Sequence, residues 1–226
     1  METFFNEFLS GTDAGNELSV VRYKEYAPMP VNFREMMRYA GVYPAPYADR
    51  PDDYPEELRA EADKAIRLLE GQTSFRVGYC PMVLKWDEEG YPVLPFKQHS
   101  DNLKKNLHDC EAVVLFAATI GAGTDRLIHR YEKTEPGMGL FLQALGAERA
   151  ESLCNLFCTE VKAISEKYGY TTHPRFSPGF GDLPITVQPE FLQFLDASRR
   201  LGITLTESYL MSPSKSVTAV IGIEKM

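Results

Sequence analysis

A stiff loop in the last third of the chain contains residues suited to binding a small charged ligand. The stretch "HPRFSPGFGDLPI", residues 173–185, combines three prolines, two glycines, two phenylalanines and one arginine. The prolines restrict the backbone, whereas Gly179 and Gly181 permit turns and close approach of a ligand to main-chain N–H and C=O groups. Such a loop predicts either a binding site or a plain proline-rich connection between two helices.

The side chains of this loop favour a binding site. Arg175 carries a planar guanidinium whose parallel donors can hold a carboxylate through two hydrogen bonds. Phe176 and Phe180 offer flat apolar faces close to it in sequence. Together these groups would suit a small zwitterion attached to a flat ring system.

A second motif, "TIGAGTDRLIHRY", takes a strand through a G-x-G turn into a helix, which is a place where nucleotide phosphates bind. The dinucleotide fingerprint fails because Arg126 stands at the third glycine, and no lysine follows as in a phosphate-binding loop. We interpret the motif as a strand-to-helix junction with Thr124 or Asp125 as the N-cap. A nucleotide site is the alternative.

The sequence lacks the signatures of catalysis by its own side chains. It contains no G-x-S-x-G or H-E-x-x-H motif and no cysteine in a nucleophile motif. The four cysteines predict buried thiols, with Cys154 and Cys158 on one helix face, and the four histidines are too scattered for a metal site. The single tryptophan, Trp86, is expected in the core. A binding function is therefore the better hypothesis.

Composition narrows the class of partner. The 226 residues are 44% hydrophobic and carry a formal net charge of −8. These values indicate a folded domain without the basic surface that nucleic acid requires. No apolar run is long enough to span a bilayer, and the first residues do not resemble a signal peptide. We expect a cytoplasmic protein with no nucleic-acid or membrane partner.

The elements that must position the loop are helices and strands in irregular alternation. Helices are predicted for "NFREMMRYAGV" with Asn32 as N-cap, "PEELRAEADKAIRLLEG", "DNLKKNLHDC" capped by Ser100, "GMGLFLQALGAERAESLCNLFCTEVKAISEKYG" and "QPEFLQFLDASRRLG". Strands are predicted for "LSVVRYKEY" and "EAVVLFAATIG". Two hairpins are predicted, one joining "TSFRVGYCPMVLKW" to "YPVLPF" and the other joining "ITLTESYLM" to "SVTAVIGIE".

Because hairpins imply antiparallel pairing, these elements predict the α+β class. We expect a single domain over residues 1–226, with a twisted, mainly antiparallel sheet flanked by helices. Within it, residues 1–70 are expected to form a helical N-terminal lead and residues 71–226 an α+β body.

The C-terminal part of the chain resembles the activation domain of cobalamin-dependent methionine synthase. That family carries an R-x-x-x-G-Y motif, a helix, and then an L-T-E-S hairpin with a proline turn. Here Arg175, Gly179 and Phe180 stand at the arginine, glycine and aromatic positions, and residues 205–208 read LTES. "LFAATIG" and "FLQALGAERAESL" are similar to the family's upstream strand and long helix, so the resemblance runs roughly from Glu111 to the end.

The resemblance implies an accessory subunit for reductive reactivation. Such a subunit binds S-adenosylmethionine and presents its methyl group to cob(II)alamin on a partner methionine synthase chain, while a flavodoxin-like protein donates an electron. By position, Arg175 would hold the carboxylate of S-adenosylmethionine, the backbone near Ser177 would bind its polar edge, and Gly179 would leave room for it. Phe180 would face the bound ligand or the corrin ring, and Gly181 would face the corrin ring.

The chain departs from the family pattern in ways that keep alternatives open. Phe180 replaces the usual tyrosine, which removes a hydroxyl but keeps the packing surface, and a tyrosine pair of longer members has no counterpart. The homocysteine, folate and cobalamin domains are not in the sequence, so we expect a free-standing subunit. One alternative is a corrinoid-protein docking module that does not use S-adenosylmethionine. Another is an independent methyltransferase, which the missing glycine-rich methyltransferase loop disfavours.

Overall fold

The computed structural model describes residues 20–42 and 51–226. The helices in these ranges are α1 (Phe33–Tyr39), α2 (Glu56–Leu69), α3 (Asp101–Asn106), α4 (Ala122–Thr134), α5 (Pro136–Lys167), α6 (Gln188–Phe194) and α7 (Ala197–Leu201). The strands are β1 (Arg22–Tyr26), β2 (Phe75–Val83), β3 (Lys85–Trp86), β4 (Pro92–Val93), β5 (Cys110–Thr119), β6 (Tyr170–Thr172), β7 (Thr204–Leu205), β8 (Met211–Ser212) and β9 (Ser216–Lys225). Short 3-10 helices cover Pro51–Asp53 and Ile185–Val187.

Five strands form one antiparallel sheet in the order β1-β2-β5-β9-β6. Helices lie against this sheet, so the predicted α+β class with a mainly antiparallel sheet flanked by helices is confirmed. The predicted strand in "LSVVRYKEY" is confirmed from Arg22 onward, and its first two residues, 18 and 19, lie outside the described residues. This strand places part of the segment expected to be a helical lead at the edge of the sheet.

The central strand β5 is buried on both faces, and its residues divide between two cores. Val114 and Phe116 contribute to a core shared with the second half of α5. Val113 and Leu115 contribute to a core on the opposite face, shared with α6 and α7. Because neighbouring strand residues point to opposite sides of a sheet, a nearly continuous apolar run is what a strand covered on both faces requires.

A third core lies between α1, α2, α4 and the first half of α5. The predicted N-caps of two helices are confirmed, since the side chain of Asn32 accepts from the Glu35 N–H and that of Ser100 accepts from the Leu103 N–H. Each contact satisfies a main-chain donor that the first helical turn leaves without a partner.

Both predicted hairpins pair differently from the prediction. In the first, most of the predicted strand "TSFRVGYCPMVLKW" forms β2, which pairs with β1 and β5. Only its last two residues, in β3, pair with β4 as a hairpin. In the second, β7 pairs with β8, while β9 pairs with β5 and β6. Long apolar segments bury more surface in the central sheet than against a short neighbouring segment, and this burial decides the pairing.

The helix predicted for "QPEFLQFLDASRRLG" is broken. Asp196 adopts a left-handed backbone with φ of 47° and separates α6 from α7. The break lets Leu195 and Leu201 both reach the second core, where they are 0% and 1% exposed. The prediction that Trp86 lies in the core is also wrong, since this residue is 39% exposed in the two-residue strand β3.

The helix α4 begins differently from the prediction. Gly121 occupies the N-cap position instead of Thr124 or Asp125, and Asp125 accepts hydrogen bonds from the main chain and hydroxyl of Ser214. A Cβ at Gly123 would lie 2.0 Å from the carbonyl oxygen of Gln72, so the turn before β2 packs directly on the start of α4. The strand β5 ends at Thr119 and α4 begins at Ala122, so the predicted strand-to-helix junction is confirmed.

Candidate functional site

The loop that follows β6 is held against β9 by main-chain hydrogen bonds. Phe176 and Val220 exchange two such bonds, each 2.8 Å long. Further along, the Gly179 N–H donates to the Leu183 carbonyl over 2.8 Å, and the Leu183 N–H donates to the Phe180 carbonyl over 3.0 Å. These contacts close the loop on itself and present Arg175 beside α5.

Arg175 contacts two side chains of α5. Its Nη2 donates to Oε1 of Glu151 over 2.5 Å, and its Nη1 donates to Oδ1 of Asn155 over 2.9 Å. Glu151 and Asn155 are neighbours on one helix face because they are four residues apart. The side chains of the ion pair are 24% and 35% exposed. Burial alone would lower the pKa of Arg175, but the hydrogen bond to Glu151 raises it, so the guanidinium stays charged.

A cavity of about 460 Å³ opens beside this ion pair, which is within the range of small-molecule sites. Its walls include both partners of the pair, Asn155, and loop residues Ser177 and Phe180. Cavities of about 500 Å³ beside the β3–β4 hairpin and about 410 Å³ between α6 and β7 are similar in size. The cavity beside Arg175 differs from these two in its arginine–carboxylate pair and in the exposed phenylalanine at its mouth, not in its volume.

The predicted site residues occupy different surroundings. Arg175, Ser177 and Phe180 line the cavity. Gly179 has φ of 91° and no heavy atom within 4 Å of an added Cβ, so its surface is open. Gly181 has φ of 55°, and an added Cβ would lie 2.7 Å from the side-chain nitrogen of Asn102 in α3. Gly181 therefore packs closely against α3 instead of facing open space. The ligand-binding and corrin-facing roles of these residues stay predictions.

Phe180 stands at the mouth of the cavity with 68% of its surface exposed. A large apolar side chain in this position is available to cover a ligand or to contact another molecule.

Two thiols lie on the same helix near Arg175. Burial raises the pKa of Cys154 to about 12, and burial also raises the pKa of Cys158, although Arg175 opposes that effect. Protonated thiols are weak nucleophiles, so neither cysteine is activated for covalent chemistry.

Within residues 20–42 and 51–226 no group of three potential metal ligands occurs. A search of the same residues for helices long and apolar enough to cross a membrane found none.

Sequence reasoning missed Glu151 and Asn155. A weak signal was present, because "AESLCN" places a carboxylate and an amide one turn apart on the long predicted helix. Such pairs also occur on ordinary solvated helix faces. Only the folded chain shows that this pair meets an arginine that lies 20 residues after Asn155 and 24 residues after Glu151 in the sequence.

Comparison with known proteins identifies the family. The family model described as the activation domain of vitamin B12 dependent methionine synthase matches residues 85–225. This span is more than half of the chain, and the chain belongs to that family, as its C-terminal motifs predicted. The match also extends upstream of Glu111 to include the β3–β4 hairpin and α3.

Solved structures share this fold. The crystal structure of the MetH reactivation domain bound to AdoHcy matches with a TM-score of 0.62 and 16% sequence identity, covering 90% of this chain and 78% of that chain. A search of curated proteins found no match.

Proposed function

We propose that this activation-domain chain binds S-adenosylmethionine beside Arg175 and presents its methyl group to cob(II)alamin carried by a partner methionine synthase chain. The observation that carries the proposal is a charged guanidinium–carboxylate pair at a cavity whose mouth exposes a phenylalanine. Family membership supports it. The similar reactivation domain that was crystallised with AdoHcy supports the choice of ligand class.

The charges of the Arg175–Glu151 pair match the two charges of an amino acid. The α-carboxylate of the ligand would accept hydrogen bonds from Arg175, and its α-ammonium would donate to Glu151. Because partly exposed ion pairs contribute at most about 1 kcal/mol, exchanging the internal contact for contacts to the ligand costs little. The internal pair would hold Arg175 in place before the ligand arrives.

The rest of the loop would contact the nucleoside end of the ligand. The carbonyl of Ser177 already accepts from the Phe180 N–H over 3.1 Å, and its second lone pair can accept from the polar edge of the ligand. The open surface at Gly179 would leave room for close approach. Phe180 would cover the flat ring or face the corrin of the partner chain, with Gly181 beside it.

The chain itself would supply binding and orientation. When bound, S-adenosylmethionine supplies a sulfonium methyl group for transfer to reduced cobalt. Since this transfer moves no proton, no acid–base pair of side chains is required, and placement of the methyl group is the protein's contribution. We therefore propose an accessory role without a catalytic residue and with a flavodoxin-like protein as electron donor. Reduced thiols, such as the four free cysteines, suit a cytoplasmic location.

A second candidate is a module that docks on a corrinoid protein without using S-adenosylmethionine. It is favoured by Phe180, whose exposed ring lacks the hydroxyl of the family's tyrosine, and by the existing contacts of Arg175 to Glu151 and Asn155. Under this hypothesis the cobalamin-bearing partner would bind equally well with and without S-adenosylmethionine.

Calorimetric titration of the chain with S-adenosylmethionine and with AdoHcy tests the first proposal. We expect measurable binding that Arg175→Ala weakens by about tenfold or more, because a hydrogen bond to a charged group is worth about 1.5–3 kcal/mol. Arg199→Ala is the matched control, since Arg199 forms an exposed ion pair with Asp196 outside the cavity. Absence of binding by the parent chain, combined with docking on a cobalamin-bearing partner, would establish the second candidate instead.

A further inference from the structure

The Arg175 loop is attached at its first end to the short helix α3. Nδ1 of His173 lies 2.5 Å from the carbonyl oxygen of Asn106, the last residue of that helix. The side-chain amide of Asn106 in turn donates to the carbonyl of Pro174 over 3.0 Å. These two hydrogen bonds fix the backbone immediately before Arg175.

The loop returns to the same helix at its other end through Asp182. One carboxylate oxygen accepts from the Asp101 N–H over 2.7 Å, and the other accepts from the Asn102 N–H over 3.2 Å and from the hydroxyl of Ser100. Hydrogen bonding from Ser100, followed by that from the main chain of α3, holds the pKa of Asp182 below its usual range. Gly181 packs against Asn102 beside this contact.

The helix α3 is a fixed support for these contacts. Leu103 and Leu107 anchor it in the second core, where they are 1% and 0% exposed. On its outer side Lys104 donates to the carbonyl of Glu89 over 3.0 Å and lies 4.4 Å from the ring centre of Tyr91. A loop attached to this helix at both ends keeps the arginine between them at the cavity.

We propose that Asp182 is a positioning residue, which sets ligand affinity by holding the loop on α3 so that Arg175 and Ser177 stay at the cavity. The inference rests on the proposed function of that cavity. Asp182 does not line the cavity itself. Without its contacts the second end of the loop would lose its attachment to α3, and the entropy of restoring that order on binding would be subtracted from the affinity.

The affinity of Asp182→Ala for AdoHcy, measured by calorimetry, tests this role. We expect binding about tenfold weaker than that of the parent, and partial recovery in Asp182→Glu, which keeps the acceptor oxygens. Asp87→Ala is the matched control, because the carboxylate of Asp87 likewise accepts two main-chain N–H groups, in the β3–β4 hairpin. Equal affinities of the parent and of Asp182→Ala for AdoHcy would overturn the inference.

A double-mutant comparison separates positioning from general destabilisation. If Asp182 acts through Arg175, then Asp182→Ala causes little further loss of affinity in a chain that already carries Arg175→Ala. A full tenfold loss in both backgrounds would show that Asp182 acts independently of Arg175, and the inference that it positions Arg175 would be wrong.

Hydrogen exchange of the ligand-free chain separates this inference from the proposed function. We expect the amides of Gly179 and Leu183 to exchange faster in Asp182→Ala, with the amides of α5 unchanged. Failure of the parent to bind AdoHcy would contradict the proposed function. Unchanged exchange at these two amides would show instead that Asp182 does not hold the loop on α3.

Discussion

Helix α5 takes part in two arginine–glutamate pairs that differ in burial and in surroundings. In the first pair the side chains of Arg149 and Glu148 are 5% and 1% exposed. Arg149 also donates to the carbonyls of Met29 and Pro30, at 2.5 and 2.8 Å, and Glu148 accepts from the Asn32 N–H over 3.1 Å. This pair fastens the segment between β1 and α1 to the long helix.

The second pair, Arg175 with Glu151, has fewer internal partners and lies at a cavity. Its side chains remain 24% and 35% exposed, and two of the five N–H groups of Arg175 are used by Glu151 and Asn155. The proposed ligand would therefore replace part of these contacts without breaking the core. The two glutamates lie three positions apart on α5, and their pairs differ in burial. The first pair is suited to a structural role, and the second is the one at which we propose binding.

The largest expected effect lies at the buried pair. Glu148→Ala leaves a buried guanidinium without its counter-charge, which should lower the free energy of unfolding by about 3–5 kcal/mol. Glu151→Ala, at the partly exposed pair, should lower it by about 1 kcal/mol or less. Urea unfolding of both variants measures the difference, and equal losses would show that burial does not separate the two pairs.

The next effect concerns ligand binding at the second pair. Glu151→Gln removes the negative charge opposite the ligand's ammonium group, so affinity for AdoHcy should fall by about tenfold. 5′-Methylthioadenosine lacks the amino-acid part and should bind the parent and Glu151→Gln equally. Calorimetry with both ligands tests the assignment, and an equal loss for both would place Glu151 away from the amino-acid end.

A smaller effect is expected from pH, through His173. Its Nε2 lies 2.7 Å from Oε2 of Glu224 in β9, and Nδ1 faces the carbonyl of Asn106. Burial alone would lower the pKa of His173, but these hydrogen bonds, with the nearby charges of Glu224 and Asp109, raise it above 6.5. Both ring nitrogens donate only in the protonated form.

A raised pKa in the folded state fixes the direction of the pH effect. The stabilisation is complete below the unfolded value of 6.5 and is lost as the pH rises through the folded pKa of His173. The urea concentration at the unfolding midpoint should therefore fall in the parent as the pH rises from 6.5 through the folded pKa of His173. The midpoint of His173→Gln should depend less on pH over the same range. Identical pH profiles of the parent and His173→Gln would mean that His173 does not contribute to the pH dependence of stability.

The smallest effect on stability is expected at the cavity mouth. Because Phe180 is 68% exposed, Phe180→Tyr should change the free energy of unfolding by less than about 0.5 kcal/mol. Phe116→Ala, in the core, should cost about 3–5 kcal/mol and serves as the contrast. A large loss in Phe180→Tyr would show that this ring is packed rather than available to a ligand or partner.

Much of the fold could be predicted from local patterns. The caps at Asn32 and Ser100, the strand β5 and the long helix α5 are properties of short segments, and the structure confirms them. Strand pairing was less predictable, because β2 and β9 pair across the central sheet instead of with the segments adjacent to them in sequence. The left-handed backbone at Asp196 also depends on packing that no local pattern reveals.

The candidate site divides in the same way. The amino-acid sequence by itself determined the family, the loop with Arg175, and the aromatic side chain at position 180, because residue types and their spacing lie within one short segment. Tertiary structure alone decided that Arg175 meets Glu151 and Asn155, that a cavity opens beside them, and that Asp182 fastens the loop to α3. These contacts join residues about twenty to eighty positions apart. They form only when the apolar faces of the sheet and helices are buried against each other.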